Sequence, residues 1–255
     1  MQQNVLTALP PLPDRQAALF LDFDGTLIDI ASRPDAVVVP PDLPLLLGQL
    51  AARLGGAVAI VTGRGLEVAR GLTGAPPTGC PWAFAAEHGS VIAAPGIPPL
   101  PEPAGPPASW REAAAAFAAR HPGLLLEEKK YGFVLHFRAV PAMGEAAAAF
   151  LRDMAAGSAF QVLPAHAAAE LRPLGSNKGS AVEWLMRHAP FAGRVPIFIG
   201  DDVTDEDGMN AARLHGGAGY RVPEQFPAGP RDVRAWLTQL ADRLAHQDDS
   251  MPAHS

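Results

Sequence analysis

The stretch FLDFDGTLIDI, residues 20–30, leads from an apolar segment into two aspartates, Asp22 and Asp24, that are separated by one residue. Short apolar runs that end in turn residues are typical of buried strands. Three further runs of this kind, AVAIV, WAFAA and VPIFIG, end just before Thr62, Glu87 and Asp201. The carboxyl ends of parallel strands meet at one edge of an open sheet, so we expect these polar residues to gather there.

Helical patterns separate several of the predicted strands. In LPLLLGQLAARLG, residues 43–55, and GSAVEWLMRHA, residues 179–189, apolar positions recur three and four residues apart. This alternation of strands and helices predicts an α/β fold, in which helices cover both faces of a mostly parallel sheet.

A proline-rich segment, PGIPPLPEPAGPPAS at residues 95–109, predicts a linker. After it the pattern predicts a helix, two strands, a second helix and two more strands, which together form a small inserted α+β unit. We place this unit at residues 100–173, between a first part of the core at residues 1–99 and a second part at residues 174–255. We expect the tail at residues 248–255 to be disordered.

The composition makes nucleic acid and membranes poor candidates for a main partner and leaves small molecules open. The formal net charge of −6 provides no excess of positive charge to bind nucleic acid or an anionic membrane surface. The N-terminus has no basic region followed by an apolar one, and no apolar run is long enough to span a membrane. The single cysteine, Cys80, excludes an internal disulfide and a cysteine zinc cluster. We therefore expect a soluble, cytoplasmic protein. We also expect a monomer.

The segment IFIGDDVTDEDGM, residues 197–209, carries five acidic residues within seven positions. Thr204 and Asp207 resemble a capping box, and an acidic residue in the first turn stabilises a helix by ~0.3–1 kcal/mol. Helix capping therefore explains part of the acidic run, but not Asp201 and Asp202, which precede the predicted helix.

Asp201 and Asp202 are expected at the same sheet edge as Asp22 and Asp24. Like charges about 4 Å apart repel by on the order of 4 kcal/mol at an effective dielectric constant of 20, so such a cluster needs protons or a cation. Oxygen ligands without histidine or cysteine favour Mg²⁺ over zinc.

Lys178 is one of three lysines in the chain and follows Ser176 and Asn177, either of which can cap a helix. A cation in the first turn of a helix is disfavoured by the helix dipole. Lys178 is therefore expected either to meet an anion or to point into solvent.

Thr62, Gly63 and Arg64 follow a predicted strand and precede a predicted helix. A hydroxyl group, backbone N–H groups and a guanidinium group in such a turn can hold a phosphate. Thr-Gly is also a common way for a strand to end, so turn chemistry alone is an alternative explanation.

Together these residues resemble the four motifs of the haloacid dehalogenase superfamily: DFDGT at residues 22–26, Thr62, Lys178 and GDD at residues 200–202. Further segments narrow the resemblance to the trehalose-6-phosphate phosphatase family: IVTGR, AEHGS, LEEK, HFR, ELRP, NKG and GDDVTDED. The resemblance implies a Rossmann-like core with an inserted C2-type cap. It also implies a Mg²⁺-dependent hydrolase of trehalose biosynthesis that cleaves trehalose 6-phosphate.

The resemblance implies specific catalytic roles. Asp22 attacks phosphorus and becomes an aspartyl phosphate, and Asp24 protonates the leaving sugar oxygen and later activates water. Thr62 and Lys178 hold the other phosphate oxygens.

The resemblance also implies a set of Mg²⁺ ligands. The set contains a carboxylate oxygen of Asp22, the backbone carbonyl of Asp24, and Asp201. Asp202 is a further candidate ligand, directly or through water, and Asp205 is expected outside the set or acting through water.

Substrate contacts are expected from both parts of the chain, and the inserted unit is expected to close over the sugar as a lid. The candidate substrate-binding residues are Gly63, Arg64, Glu87, His88, Lys129, His136, Arg138 and Glu170. Two of them have structural alternatives. Glu170 could form a surface ion pair with Arg172, and His88 could stabilise a turn beside Gly89.

Two alternatives for the function remain open at this point. The chain could hydrolyse sucrose phosphate or another sugar phosphate. It could also be a phospho-accepting receiver module without turnover, although the length of the insertion and the order of DFDGT count against this.

Overall fold

The chain forms two compact units. The computed structural model describes residues 9–31, 36–76, 78–101, 103–165 and 167–249. One unit combines the residues up to Leu100 with those from Asn177 onward, and the other comprises Pro101–Ser176. The predicted borders of the insertion, residues 100 and 173, lie one and three residues before Pro101 and Ser176. Of the tail predicted to be disordered, residues 250–255 lie outside the described residues.

Seventeen helices and strands follow one another along the described chain. The first unit begins with β1 (Ala17–Leu21), α1 (Leu43–Arg53), β2 (Val58–Val61), α2 (Leu66–Leu72), β3 (Ala83–Ala86) and β4 (Val91–Ala93). The second unit contains α3 (Ala108–Arg120), β5 (Leu125–Glu128), β6 (Phe133–His136), α4 (Gly144–Ala155), β7 (Phe160–Ala165) and β8 (Ala168–Pro173). The first unit then resumes with α5 (Lys178–Met186), β9 (Val195–Gly200), α6 (Glu206–Leu214), β10 (Ala218–Arg221) and α7 (Pro230–Asp249).

The first unit is built on a six-stranded sheet in the order β10–β9–β1–β2–β3–β4. All neighbouring strands are parallel except β3 and β4, which are antiparallel. Every residue of β1, β2 and β3 is buried. Because successive side chains of a strand point to opposite faces, unbroken burial means that both faces of the sheet are covered. The predicted α/β fold is confirmed.

The second unit has a four-stranded antiparallel sheet in the order β5–β6–β8–β7. It has its own hydrophobic core, in which Phe133, Leu151 and Leu171 are fully buried. The order of its elements is the one predicted from the sequence. None of the helices among the described residues is both long and apolar enough to span a membrane.

Candidate active site

The ends of two adjacent strands bring carboxylates together in the first unit. Asp22 follows β1, and its backbone N–H donates to the carbonyl of Ile199 at 2.9 Å, so that the pairing of β1 with β9 extends to Asp22. Asp201 directly follows β9. Asp22, Asp201 and Asp205 each place a carboxylate oxygen within 4.8 Å of the others. Carboxylates from distant parts of the chain thus share one pocket, as the sequence predicted for Asp22 and Asp201.

Lys178 lies between two of these carboxylates. Its Nζ donates to Oδ1 of Asp22 at 2.7 Å and to Oδ1 of Asp205 at 2.5 Å, and its side chain is only 4% exposed. Lys178 begins α5, which Asn177 caps by accepting a hydrogen bond from the backbone N–H of Ser180 at 2.7 Å. The cation in the first turn is therefore compensated by two anions, and the alternative of a lysine pointing into solvent is wrong.

The pocket is short of positive charge. With Asp22, Asp201 and Asp205 ionised, Lys178 neutralises one of three negative charges. Burial and the charges of Asp205 and Asp201 raise the pKa of Asp22 well above its ordinary value, although Lys178 opposes this. Burial and the charge of Asp205 raise the pKa of Asp201 to about 6. Burial lowers the pKa of Lys178, but the attraction of Asp22 and Asp205 outweighs it and raises that pKa above its ordinary value.

One oxygen in this pocket fits a cation. Oδ2 of Asp22 is buried and accepts no hydrogen bond from any described residue. A buried carboxylate oxygen without a donor, close to two further carboxylates, is suited to a hard divalent cation such as Mg²⁺.

Asp205, rather than Asp202, belongs to this group of carboxylates. Oδ2 of Asp205 accepts hydrogen bonds from the backbone N–H groups of Asp201 and Asp202 at 3.1 and 3.0 Å. Asp202 is exposed, and its Oδ1 accepts from the backbone N–H of Val203 at 2.6 Å. The structure therefore places the predicted metal ligand Asp202 outside the three-carboxylate group and brings in Asp205.

The local reason is a 3₁₀ turn at Val203–Asp205, which the sequence did not predict. Its capping box joins Asp202 and Asp205, so the predicted box between Thr204 and Asp207 is wrong. Helix α6 begins only after this turn, and Glu206 in its first turn accepts from Arg221.

Gly25 provides the space that the Asp201 carboxylate occupies. Its φ is +80°, and a Cβ at this position would lie 2.1 Å from Oδ2 of Asp201. The glycine of DFDGT therefore allows the turn after Asp24 to pack directly against the carboxylate that follows β9.

Asp24 is paired with Arg64. The guanidinium Nε donates to Oδ2 of Asp24 at 2.7 Å, and a terminal nitrogen donates to Oδ1 at 2.6 Å. Arg64 was predicted to bind substrate, and that contact stays a prediction; in the structure its guanidinium group is hydrogen-bonded to the carboxylate of Asp24.

A strained turn at Glu87 and His88 supports the Thr62–Arg64 turn. Glu87 and His88 have φ values of +49° and +53°, which are uncommon for residues other than glycine. The backbone N–H of His88 donates to the carbonyl of Thr62 at 2.9 Å. A Cβ on Gly63 would lie 2.4 Å from Nε2 of His88, so the imidazole ring packs on Gly63. These contacts support the turn-stabilising alternative for His88, and its contact with substrate stays a prediction.

In the second unit, two predicted substrate-binding residues share a carboxylate that the sequence did not single out. Nζ of Lys129 lies 3.3 Å from Oε1 of Glu127, and Nε2 of His136 lies 2.7 Å from Oε2 of Glu127. Burial opposes ionisation of Glu127, but the contacts with His136 and Lys129 outweigh it and lower the pKa of this carboxyl group. Glu127 lies on β5 and Lys129 directly follows the end of that strand, and this spacing of two residues was the available sequence signal.

The other predicted substrate-binding residues of this unit differ in exposure. Arg138 is exposed. Glu170 and Arg172 are each only 6% exposed on β8, so the alternative of a surface ion pair between them is wrong.

Comparison with known proteins identifies relatives along most of the chain. The trehalose-phosphatase family model matches residues 20–232. A probable trehalose-phosphate phosphatase of Sinorhizobium fredii is 39% identical over 216 residues, which cover 83% of this chain and 79% of the relative. The trehalose-6-phosphate phosphatase of Escherichia coli is 32% identical over 262 residues, covering 96% of this chain and 94% of the relative.

A solved structure supports the fold independently. The C-terminal domain of trehalose-6-phosphate phosphatase from C. albicans superposes with a TM-score of 0.71, covering 89% of this chain and 93% of that chain. At 22% identity, this match shows the fold alone.

The packing at Gly25 yields a prediction. Gly25→Ala should lower the free energy of unfolding by about 2–5 kcal/mol, because the new Cβ meets the Asp201 carboxylate in a left-handed backbone conformation. Urea denaturation measures the change. The matched control is Gly48→Ala in α1, where no atom lies within 4 Å of the added Cβ and the substitution should stabilise by about 0.5–1 kcal/mol. Equal effects of the two substitutions would contradict the close approach of Asp201 to Gly25.

Proposed function

We propose that this chain, which belongs to the trehalose-phosphatase family, hydrolyses trehalose 6-phosphate to trehalose and phosphate with Asp22 as the nucleophile. The single observation that carries the chemistry is the state of the Asp22 carboxylate. It is buried, one oxygen is bonded to Lys178, and the other accepts no hydrogen bond from any described residue. The identity of the sugar is supported by the family and by the two relatives, at 39% and 32% identity.

The two oxygens of Asp22 suit different tasks. Oδ1 is held by Lys178 at 2.7 Å, which fixes the orientation of the carboxylate. Oδ1, oriented in this way, attacks phosphorus in line with the sugar oxygen, and Oδ2, which accepts no hydrogen bond from any described residue, is left for the cation. A bond then forms between Oδ1 and phosphorus as the bond from phosphorus to the sugar oxygen breaks, and the product is an aspartyl phosphate. Attack of water on phosphorus releases phosphate and restores Asp22.

Asp24 supplies and removes protons in this scheme. In the first step it protonates the leaving sugar oxygen, and in the second step it takes a proton from the attacking water. Its carboxylate follows that of Asp22 by two residues, a spacing that directs both side chains to the same side of an extended chain.

Lys178 and Thr62 stabilise the transferring phosphate. An ammonium group has three donors, and Lys178 uses two of them on Asp22 and Asp205, which leaves the third for a phosphate oxygen. Thr62 is buried at the end of β2, and its Oγ1 accepts from the backbone N–H of Arg64 at 3.1 Å, so its hydroxyl hydrogen is available to donate.

We propose Mg²⁺ as the cofactor. The chain's candidates to hold it are the carboxylates of Asp22 and Asp201, together with the backbone carbonyl of Asp24. Asp205 helps to position these ligands, because it accepts hydrogen bonds from Lys178 and from the backbone N–H of Asp201. A divalent ion would offset the two negative charges that Lys178 leaves uncompensated, and it would allow an anionic nucleophile to approach an anionic phosphate.

The remaining parts of the proposal rest on the sequence. Contacts of Lys129, His136, Arg138 and Glu170 with the sugar, and the role of the second unit as a lid, stay predictions. The monomeric state and the cytoplasmic location stay predictions as well.

A phosphate-release screen tests the proposed substrate. With Mg²⁺ present, the chain should release phosphate from trehalose 6-phosphate through many turnovers, and release should stop when EDTA removes the ion. Sucrose 6-phosphate and glucose 6-phosphate should be hydrolysed with a kcat/KM at least about 100-fold lower, because a site that hydrogen-bonds sugar hydroxyls rejects sugars that leave its polar groups unpaired. The matched control is Asp22→Asn, which should remain folded and release no phosphate.

Two results of this screen would contradict the proposal. Preference for sucrose 6-phosphate would show a different sugar specificity. Retention of a single phosphate per chain, without turnover, would show a receiver module.

The choice between Asp201 and Asp202 yields a prediction about the cation. Asp201→Asn should weaken Mg²⁺ binding by about 10–100-fold or more, because it removes one carboxylate of the group of three. Asp202→Asn should leave binding within about twofold, because asparagine caps a helical turn as well as aspartate does. The rise in melting temperature with Mg²⁺ concentration measures the affinity of each variant. Weaker binding in Asp202→Asn than in Asp201→Asn would restore Asp202 as the ligand.

A further inference from the structure

Arg64 is held in place at its backbone as well as at its side chain. Its N–H donates to Oγ1 of Thr62 at 3.1 Å, and its carbonyl accepts from the backbone N–H of Glu87 at 3.0 Å. These backbone hydrogen bonds hold the residue in the turn that follows β2, independently of the contacts that its side chain makes.

The neighbouring turn at Glu87 and His88, which binds the backbone of Arg64, has an unfavourable backbone conformation. Glu87 and His88 both adopt left-handed backbone conformations, which persist in non-glycine residues only where surrounding contacts enforce them. Their N–H groups donate to the carbonyls of Arg64 and Thr62, respectively. The strained residues therefore hold the backbone of the Thr62–Arg64 turn in place. This fixes the position from which the Arg64 side chain extends.

The guanidinium group of Arg64 forms a bidentate hydrogen-bonded ion pair with the carboxylate of Asp24. One nitrogen donates to each carboxylate oxygen, at 2.7 and 2.6 Å, and the side chain of Arg64 is only 13% exposed. Paired hydrogen bonds of this kind fix the plane of a carboxylate as well as its position. A carboxylate has about four lone-pair positions, so two bonds from arginine leave two for proton transfer.

We infer that Arg64 is a positioning residue that fixes the Asp24 carboxylate for proton transfer, rather than a ligand of the substrate phosphate. This inference rests on the proposed function, in which Asp24 protonates the leaving oxygen. Arg64 then acts through Asp24, so its removal matters only while Asp24 is present. A lysine cannot replace it, because an ammonium group cannot form the paired bonds to both carboxylate oxygens.

The test compares four variants on trehalose 6-phosphate: Arg64→Ala, Arg64→Lys, Asp24→Asn and the double variant Arg64→Ala/Asp24→Asn. Arg64→Ala should lower kcat by about 100-fold through misplacement of the acid, with KM within about threefold of wild type. Arg64→Lys should not restore kcat. Asp24→Asn should lower kcat by about 10²–10⁴-fold, and the double variant should be no slower than Asp24→Asn alone.

The control variant is Arg70→Ala. Arg70 lies on α2, close in sequence to Arg64, and pairs with the exposed Glu67 at 3.4 Å. Its removal should leave kcat and KM unchanged. Urea denaturation of each variant, without substrate, shows whether it is folded and whether the effects of Arg64→Ala and Asp24→Asn on stability are non-additive, as a direct contact requires.

The outcomes separate the inference from the proposed function. A rise in KM for Arg64→Ala that Arg64→Lys largely reverses, or a double variant whose loss is the product of the two single losses, would make Arg64 a phosphate ligand and overturn the inference. Additive effects on stability would also overturn it, whatever the activity. Wild-type activity in Asp24→Asn, or a wild-type chain that releases no phosphate, would instead overturn the proposed function.

Discussion

A buried lysine between two carboxylates is the interaction on which the rest of the site depends. Like charges repel strongly where water is excluded, so Asp22 and Asp205 can share a pocket because the ammonium group of Lys178 lies between them, 2.7 and 2.5 Å from their oxygens. The same contact joins the end of β1, the start of α5 and the turn before α6. The geometry of the candidate active site and the packing of these elements are therefore set together.

The sheet was predictable where apolar runs were long. Strands β1, β2, β3 and β9 each follow from an uninterrupted apolar run, and burial on both faces of a parallel sheet requires such a pattern. The two edge strands, β4 and β10, were not predicted. β4 has only three residues, and the AGYR of β10 is half-buried throughout, so neither presents a periodic signal.

For the candidate active site, the sequence predicted which segments come together. It did not predict which side-chain atoms contact one another. Residues after parallel strands converge whatever their side chains, which placed Asp22 near Asp201. The choice of Asp205 over Asp202 depends on a 3₁₀ turn of three residues, and neighbouring acids look alike in a sequence. The contact of Arg64 with Asp24 joins residues 40 positions apart, and no local pattern encodes such a pair.

The most direct measurement of the role of Lys178 is a double-mutant cycle with Asp205, scored as the free energy of unfolding in urea with EDTA present. We predict that Lys178→Met costs about 3–5 kcal/mol, because it leaves buried carboxylates without their counter-charge. Asp205→Asn should lower the free energy of unfolding of the wild type. In the Lys178→Met background the same substitution should lower it by less than half as much, or even raise it. An equal cost of Asp205→Asn in both backgrounds would contradict the account.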